Sequence, residues 1–165
     1  MKTTPTLSAL ALSAFLAVPA FAAEPEYATI KMEVNIAKPA AEVWAKVGKY
    51  CDIAEWLKLD CKITSGDGGM GTVRSLAGGR VLEILVAQTE LSYGYTQPAK
   101  EGAFYNLYHG FMEARPVTAK TSKMIYTLVV DESDKADKAA KDADIARRRT
   151  SFEAALQNMK AIAEK

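Results

Sequence analysis

Several residue groups in this 165-residue chain are of types and spacings that could do chemistry. Gly66, Gly68 and Gly71 in GDGGMG stand at the G-x-G-x-x-G spacing of a turn that receives a pyrophosphate. Arg74 and Glu83 flank Gly78-Gly79 symmetrically and could fix a carbonyl, hydroxyl or carboxylate, with the phenols of Tyr93, Tyr95, Tyr108 and Tyr126 further along the chain. Cys51 and Cys61 could form a disulfide or supply two metal ligands, and His109, the sole histidine, could move a proton near neutral pH. Which of these acts depends on the elements that carry them.

A nucleotide fingerprint needs its glycines to open a helix, with an acidic residue about 20 positions on for the ribose. After GDGGMG comes TVRSLAGGRVLEILVAQTE, two runs rich in Val, Leu and Ile around a Gly-Gly dipeptide suited to a hairpin turn. The glycines therefore open a strand, and a β-turn is expected instead of a cofactor site. No other stretch implies a cofactor. No histidine lies near either cysteine, so a metal pair is set aside, because a structural zinc site needs four such ligands.

The first 22 residues combine Lys2, an apolar run from Leu7 to Val18, and Ala20-Phe21-Ala22, the pattern of a secretory signal peptide cleaved near Ala22. The run is shorter than the roughly 20 apolar residues of a membrane span and ends at Pro19. Residues 23–165 are then one domain, periplasmic or secreted, in a compartment where Cys51 and Cys61 are expected to pair. Closing that loop is worth about 2.5–3 kcal/mol in the chain-entropy account. The mature segment is close to neutral and lacks the basic stripe that a nucleic-acid partner requires.

TIKMEVNI alternates as a half-buried strand, and Pro39 starts a short helix carrying Val43, Trp44 and Val47 on one side. CDIAEWL reads as a second helical turn with Trp56 and Leu57 inward, and KLDCKITSG as a strand. Further strands are expected at LSYGYTQ, AFYNLYHGFMEARPV and TSKMIYTLVVDE, the last two joined near Thr118. Asp137 to Lys165 forms one long amphipathic helix, with Ile145, Phe152, Leu156, Met159 and Ala163 on a single stripe. DESDKADKAAKDAD is expected to be a loop running into a solvated helical start. The result is an α+β fold in which a curved antiparallel sheet of about seven strands must bury one face against the terminal helix.

In order and spacing these stretches resemble the START/polyketide-cyclase superfamily of helix-grip proteins over nearly all of the mature chain. AKPAAEVWAKVGKYCDIAEWL is similar to its opening, GDGGMGTVRSL to its glycine-rich loop and third strand, and GGRVLEIL to the next strand with its glutamate. NLYHG and MIYTLVVDES match its last two strands. The resemblance implies a cavity between sheet and helix.

If Gly78-Gly79 is a two-residue turn, Ala77 pairs with Arg80 and Arg74 stands opposite Glu83. Their shared face is open from register alone: an exposed ion pair is one reading, and the resemblance implies the other, a polar hook inside the cavity. Alternation turns Met124, Tyr126 and Leu128 inward, and the resemblance turns Tyr108 and Met112 in and His109 and Phe111 out. Tyr93 and Tyr95 share a face, and Phe152 and Leu156 come from the helix. The expected ligand set is thus Arg74, Glu83, Tyr93, Tyr95, Tyr108, Met112, Met124, Tyr126, Phe152 and Leu156, around a small hydrophobic molecule such as a lipid, sterol-like or aromatic compound. A cyclase/dehydrase-like enzyme that polarises a ketone is the alternative, although no catalytic constellation is evident and none is assigned. The loops Gly66–Gly71 and Gln97–Gly102 offer surfaces for transient contact with a membrane or protein.

Overall fold

The computed structural model describes residues 24–99 and 107–165; the expected signal peptide and residues 100–106 lie outside that range. In chain order the elements are β1 (Tyr27–Ile36), α1 (Ala40–Val47), α2 (Ile53–Trp56), β2 (Cys61–Ser65), β3 (Val73–Leu76), β4 (Val81–Thr89), β5 (Ser92–Thr96), β6 (Tyr108–Pro116), β7 (Ser122–Asp131) and α3 (Lys138–Ala163). The strands form one antiparallel sheet in the order β1-β7-β6-β5-β4-β3-β2. Every neighbouring pair except β1–β7 is consecutive along the chain, so the sheet is a meander closed by the return of β7 beside β1.

Alternation decides which face is buried. Ile30, Met32, Val34 and Ile36 of β1 and Met124, Tyr126, Leu128 and Val130 of β7 point to one side, where α3 lays Phe152, Ala155, Leu156, Met159 and Ala163 against them. Asp137 caps α3 by accepting a hydrogen bond from the Ala140 amide, 2.8 Å. Register irregularities between Ile63 and Ser65 in β2 and between Leu85 and Ala87 in β4 bend the sheet toward that helix. The fold is therefore a helix grip: a curved seven-stranded antiparallel sheet around a long C-terminal helix, with two short helices after the first strand.

The β3–β4 connection differs from the expected two-residue turn. Pairing ends at Leu76–Val81, the Gly79 amide donates to the Leu76 carbonyl, and Ala77, Gly78 and Gly79 all have positive φ. The register is unaffected, because a four-residue loop centred on the same point still sets Arg74 opposite Glu83. The glycines at positions 66–71 form an irregular turn leading into β3, not the start of a helix.

Cys51 and Cys61 are joined, with Cα atoms 5.5 Å apart. The bond fastens the link between α1 and α2 to β2, an edge strand that is otherwise largely exposed and paired only with β3.

Two adjacent cross-strand pairs set glycine against an aromatic ring. Gly94 lies under Phe111 on the convex face, and Gly110 lies under Tyr95 on the concave face. A Cβ on Gly110 would fall on the Tyr95 ring, which is 1% exposed and has no room to retreat. Gly110→Ala is expected to cost about 1–3 kcal/mol by overpacking. Gly94→Ala should cost less, since Phe111 is 45% exposed and can swing outward. Urea denaturation of both variants checks the order; equal costs would mean that the two rings are equally confined.

Candidate functional site

β3, β4 and β5 present alternate side chains to the concave face, and this parity brings Arg74, Glu83, Tyr93 and Tyr95 together. Arg74 is 0% exposed and Glu83 3%, which excludes the exposed ion pair and places both groups in the interior. Arg74 Nε and Nη2 donate to the same oxygen, Glu83 Oε2, at 2.8 and 2.6 Å. The other carboxylate oxygen, Oε1, accepts from Gln97 Nε2 at 3.2 Å. Arg74 Nη1 donates to the Tyr50 carbonyl. The guanidinium carbon lies 4.1 Å from the Tyr50 ring centre and 5.0 Å from that of Tyr95. A buried charge persists only when paired and hydrogen-bonded, and these contacts meet that requirement. Burial alone would lower the Arg74 pKa, but the surrounding tyrosines and Glu83 raise it, so the guanidinium is permanently charged.

The remaining residues of the expected set continue the cluster. Tyr95 Oη and Tyr126 Oη are 2.7 Å apart, Tyr108 stacks 6.3 Å from Tyr95, and Phe152 packs 4.6 Å from Tyr126. Met112, Met124 and Leu156 supply apolar surface and are each at most 1% exposed. Burial pushes the phenols of Tyr50, Tyr93, Tyr95 and Tyr126 upward, and that of Tyr108 up to about 12. They stay protonated across the physiological range, as hydrogen-bonding groups and not bases. His109 shares the convex parity of Phe111, away from this cluster.

In this conformation the side chains fill the cup by packing on one another. Two clefts approach the ion pair from outside. One, of about 340 Å³, is lined by Trp44, Lys49, Tyr50, Gly68 and Tyr93 among others. The second, of about 310 Å³, lies between residues 79–82 and 97–99, with Gln97 on its wall. Tyr50 and Gln97, which line the two clefts, are also the residues bonded to Arg74 and Glu83.

Tyr50, Trp56 and Gln97 were not in the expected ligand set. The hydroxyl of Tyr50 and the indole N–H of Trp56 are buried without a hydrogen-bond partner. That of Tyr93 lies in the field of the Arg74 guanidinium without a hydrogen bond of ordinary geometry. Gln97 continues the alternation of Tyr93 and Tyr95, so its inward position was there to be read. Tyr50 sits between two short helices, where no period applies.

A second polar cluster lies where α3 begins to cover the sheet: Lys138, Ala139, Asp142 and Ala143 at the helical start are exposed as expected, but Glu132 before the helix and Asp144 at the end of the same stretch turn inward. Glu132 extends the inward parity of β7 and is 1% exposed, with no hydrogen bond of ordinary geometry to either carboxylate oxygen. Arg148 Nε contacts Asp144 Oδ2 at 2.5 Å and approaches Glu132 Oε1 to 3.9 Å, and its guanidinium lies 5.2 Å from the Tyr108 ring centre. Burial, then the neighbouring Asp144 carboxylate, raises the Glu132 pKa. Burial would also raise Asp144, but hydrogen bonds from Arg147 and Arg148 prevail and hold it at about 2. Among the described residues no group of three or more His, Cys, Asp or Glu side chains could hold a metal ion, and no helix is long and apolar enough to cross a membrane.

A family model described as "Polyketide cyclase / dehydrase and lipid transport" matches residues 27–164. No curated protein matches the chain by sequence. Among solved structures, an aromatase/cyclase named Zhui from a Streptomyces species superposes with a TM-score of 0.65 at 16% identity, over 84% of this chain and 94% of that one. Ara h 8.0201 gives 0.58 at 19% identity, over 82% and 99%. A protein from Nitrosospira multiformis gives 0.62 at 23% identity, over 81% and 94%. At these identities the likeness is one of fold.

Two outcomes are expected. Arg74→Met leaves Glu83 buried and unpaired and should cost about 3–5 kcal/mol, while the double variant Arg74→Met/Glu83→Leu should recover most of it. Chemical denaturation checks both, and a double variant no more stable than the single one would contradict the pairing. For the second cluster, a raised carboxyl pKa contributes stability below the unfolded value of 4.5 that is lost as pH rises through the folded one. Asp144 contributes stability above 3.8 that is lost toward about 2. Wild type should therefore lose stability relative to Glu132→Gln as pH rises from 4.5. Parallel pH–stability curves above that point would contradict the assignment.

Proposed function

The chain belongs to the polyketide cyclase/dehydrase and lipid transport family, and on that premise we propose that it is an exported binding protein for a small hydrophobic molecule held between the sheet and α3. The observation that carries this reading is the polar content of the concave face. A fully buried Arg74–Glu83 pair stands among aromatic and methionine side chains, beside the unpartnered Tyr50 hydroxyl and Trp56 indole N–H. A core that served packing alone would gain by replacing such groups with apolar ones, because each unsatisfied buried donor costs about 1–3 kcal/mol. A guest whose acceptor groups reach these donors would satisfy them. Its apolar body would gain about 25 cal/mol for each Å² withdrawn from water against Met112, Met124, Tyr126, Phe152 and Leu156.

Export is supported by the amino-terminal pattern, with cleavage near Ala22, and by the disulfide between Cys51 and Cys61. A carrier for apolar compounds suits the periplasm or the extracellular medium, where such compounds need shielding from water. Membrane or protein contact through the loop at Gly66–Gly71 would serve loading and release.

The cyclase-like reading has one observation in its favour, the contact of the Tyr95 and Tyr126 hydroxyls in the same interior as Arg74. Those groups could polarise a ketone. A proton carrier is harder to assign, since Glu83 is engaged by Arg74 and Gln97 while His109 lies on the opposite face. The binding reading therefore stands first.

Native mass spectrometry of the purified mature protein, followed by organic extraction, tests this. The expected result is an unaltered apolar compound, with retention falling at least about tenfold in Tyr126→Ala once circular dichroism shows the fold intact, as befits the loss of a buried pocket wall. Recovery of a chemically altered product after incubation with a candidate ketone would move the assignment to catalysis. Failure of every apolar library compound to bind would overturn the carrier reading.

A further inference from the structure

The Arg74–Glu83 pair that the proposed function assigns to ligand is occupied by the chain itself. Tyr50 covers Arg74 in two ways: its carbonyl accepts from Nη1 and its ring lies 4.1 Å below the guanidinium carbon. Tyr50 is 8% exposed, and it lines the 340 Å³ cleft beside Trp44 and Tyr93. A molecule entering from that cleft meets Tyr50 before Arg74.

What holds Tyr50 in place is unusual for an interior residue. It belongs to no regular element, lying between the end of α1 and the start of α2. The next residue, Cys51, is bonded to Cys61 on β2. Cys61 in turn pairs with Leu76, and Ile63 with Arg74 itself. The disulfide thus closes a short circuit: from Tyr50 through the sulfurs to β2, across the ladder to β3, and back through Arg74 to the Tyr50 carbonyl. The segment's own hydrogen bonds are local: the Lys49 amide donates to the Asp52 carboxylate at 2.8 Å, and the amides of Asp52 and Ala54 donate to the carbonyls of Lys49 and Cys51 at 2.9 and 3.1 Å, while the Tyr50 ring meets Tyr93 edge-on at 5.5 Å. Neither cysteine is fully buried.

We infer that Tyr50 is a lid over Arg74 and that the Cys51–Cys61 disulfide holds it shut, so that reduction opens the concave site from the α1 side. The inference rests on the assignment of Arg74 to ligand. In the reductive step a dithiol transfers two electrons and two protons: the sulfur–sulfur bond breaks, Cys51 and Cys61 become thiols, and the dithiol becomes a cyclic disulfide. With the tether gone, the segment from Gly48 to Asp52 samples conformations in which the guanidinium faces the cleft. A ligand that binds only the open state then gains apparent affinity in proportion to the rise in open population. The lid is selective as well as obstructive, because an acceptor group on the ligand must replace the Tyr50 carbonyl on Nη1, and a purely aliphatic molecule gains nothing at that atom.

The test uses the purified mature chain with anilinonaphthalene sulfonate, an anionic aromatic probe, before and after treatment with dithiothreitol. Near-ultraviolet circular dichroism accompanies each titration to show that tertiary packing is retained. Reduction should tighten probe binding to wild type at least about fivefold, the factor expected if the open population rises from one in ten to one in two. In Tyr50→Ala the ring is gone but the main-chain carbonyl still holds Nη1, so the oxidised variant should bind more tightly than oxidised wild type, and reduction should tighten it further by a smaller factor than in wild type. Equal tightening in both backgrounds would mean general loosening and would overturn the lid. A second readout needs no ligand: nitrogen-edited NMR follows solvent exchange of the Arg74 Nη1 protons, one of which the Tyr50 carbonyl accepts, and this exchange should accelerate on reduction in wild type. Unchanged exchange overturns the lid. Accelerated exchange with no probe bound in any state supports the lid and overturns the assignment of Arg74 to ligand.

Discussion

A guanidinium and a carboxylate cannot each be taken out of water alone, and the arrangement of this protein's concave face follows from keeping Arg74 and Glu83 dry together. The pair needs β3 and β4 in a register that sets the two residues opposite one another. One oxygen takes two donors from Arg74, so the other requires a further donor, and Gln97 at the end of β5 supplies it. The guanidinium has a third side that needs an acceptor, and the irregular segment between α1 and α2 turns the Tyr50 carbonyl inward to supply it. Elements far apart in sequence are thereby pinned to one charge. The disulfide then fixes the same segment from the outside, so the covalent and the ionic constraints act on a single point of the fold.

The helix that closes the cup is built of two unlike halves. From Phe152 to Ala163 its inward stripe is apolar and packs on β1, β7, α1 and α2. Toward its start the same stripe carries Asp144 and Arg148, which meet Glu132 and Tyr108. An apolar contact is non-directional and costly to hydrate, whereas a charged one can exchange its partners for water at smaller cost. The grip is therefore firm at the carboxyl end of the helix and conditional at the amino end, where protonation of one buried carboxyl decides whether two like charges face each other.

Much of this was legible in the sequence because strand parity is a strict rule. The register of Arg74 and Glu83 followed from their symmetry about Gly78-Gly79, and it survived an error in the turn: the loop holds four residues and not two, but its centre is the same. Parity also turned Met124 and Tyr126 inward and set Tyr93 and Tyr95 on one face, the family resemblance turned Tyr108 and Met112 in, and helical spacing added Phe152 and Leu156. Two features escaped for physical reasons. Tyr50 lies in a segment with no repeating geometry, so nothing local indicates that it reaches a charge on a strand 24 residues later. Glu132 sits in a run of acidic and basic residues that composition assigns to solvent, yet it keeps the inward parity of Met124, Tyr126, Leu128 and Val130. The tertiary contact overrode the compositional reading, and the alternation was the better guide.

Whether the cup is full or hollow depends on rotamers and could not be read from residue types. In the closed state the Tyr95 and Tyr126 hydroxyls satisfy one another, and the methionines and Phe152 fill the remaining space. A guest consequently displaces side chains instead of occupying a standing void, and its net gain is the difference between its contacts and those it replaces. Apolar bulk is nearly neutral in that exchange, since one greasy surface substitutes for another. The polar groups are not: a ligand that gives the Tyr50 hydroxyl and the Trp56 indole N–H the partners they lack converts an existing penalty into a hydrogen bond. Selection among hydrophobic molecules in such a site falls to the placement of an acceptor and much less to volume, which is how a cup filled by its own side chains can still discriminate.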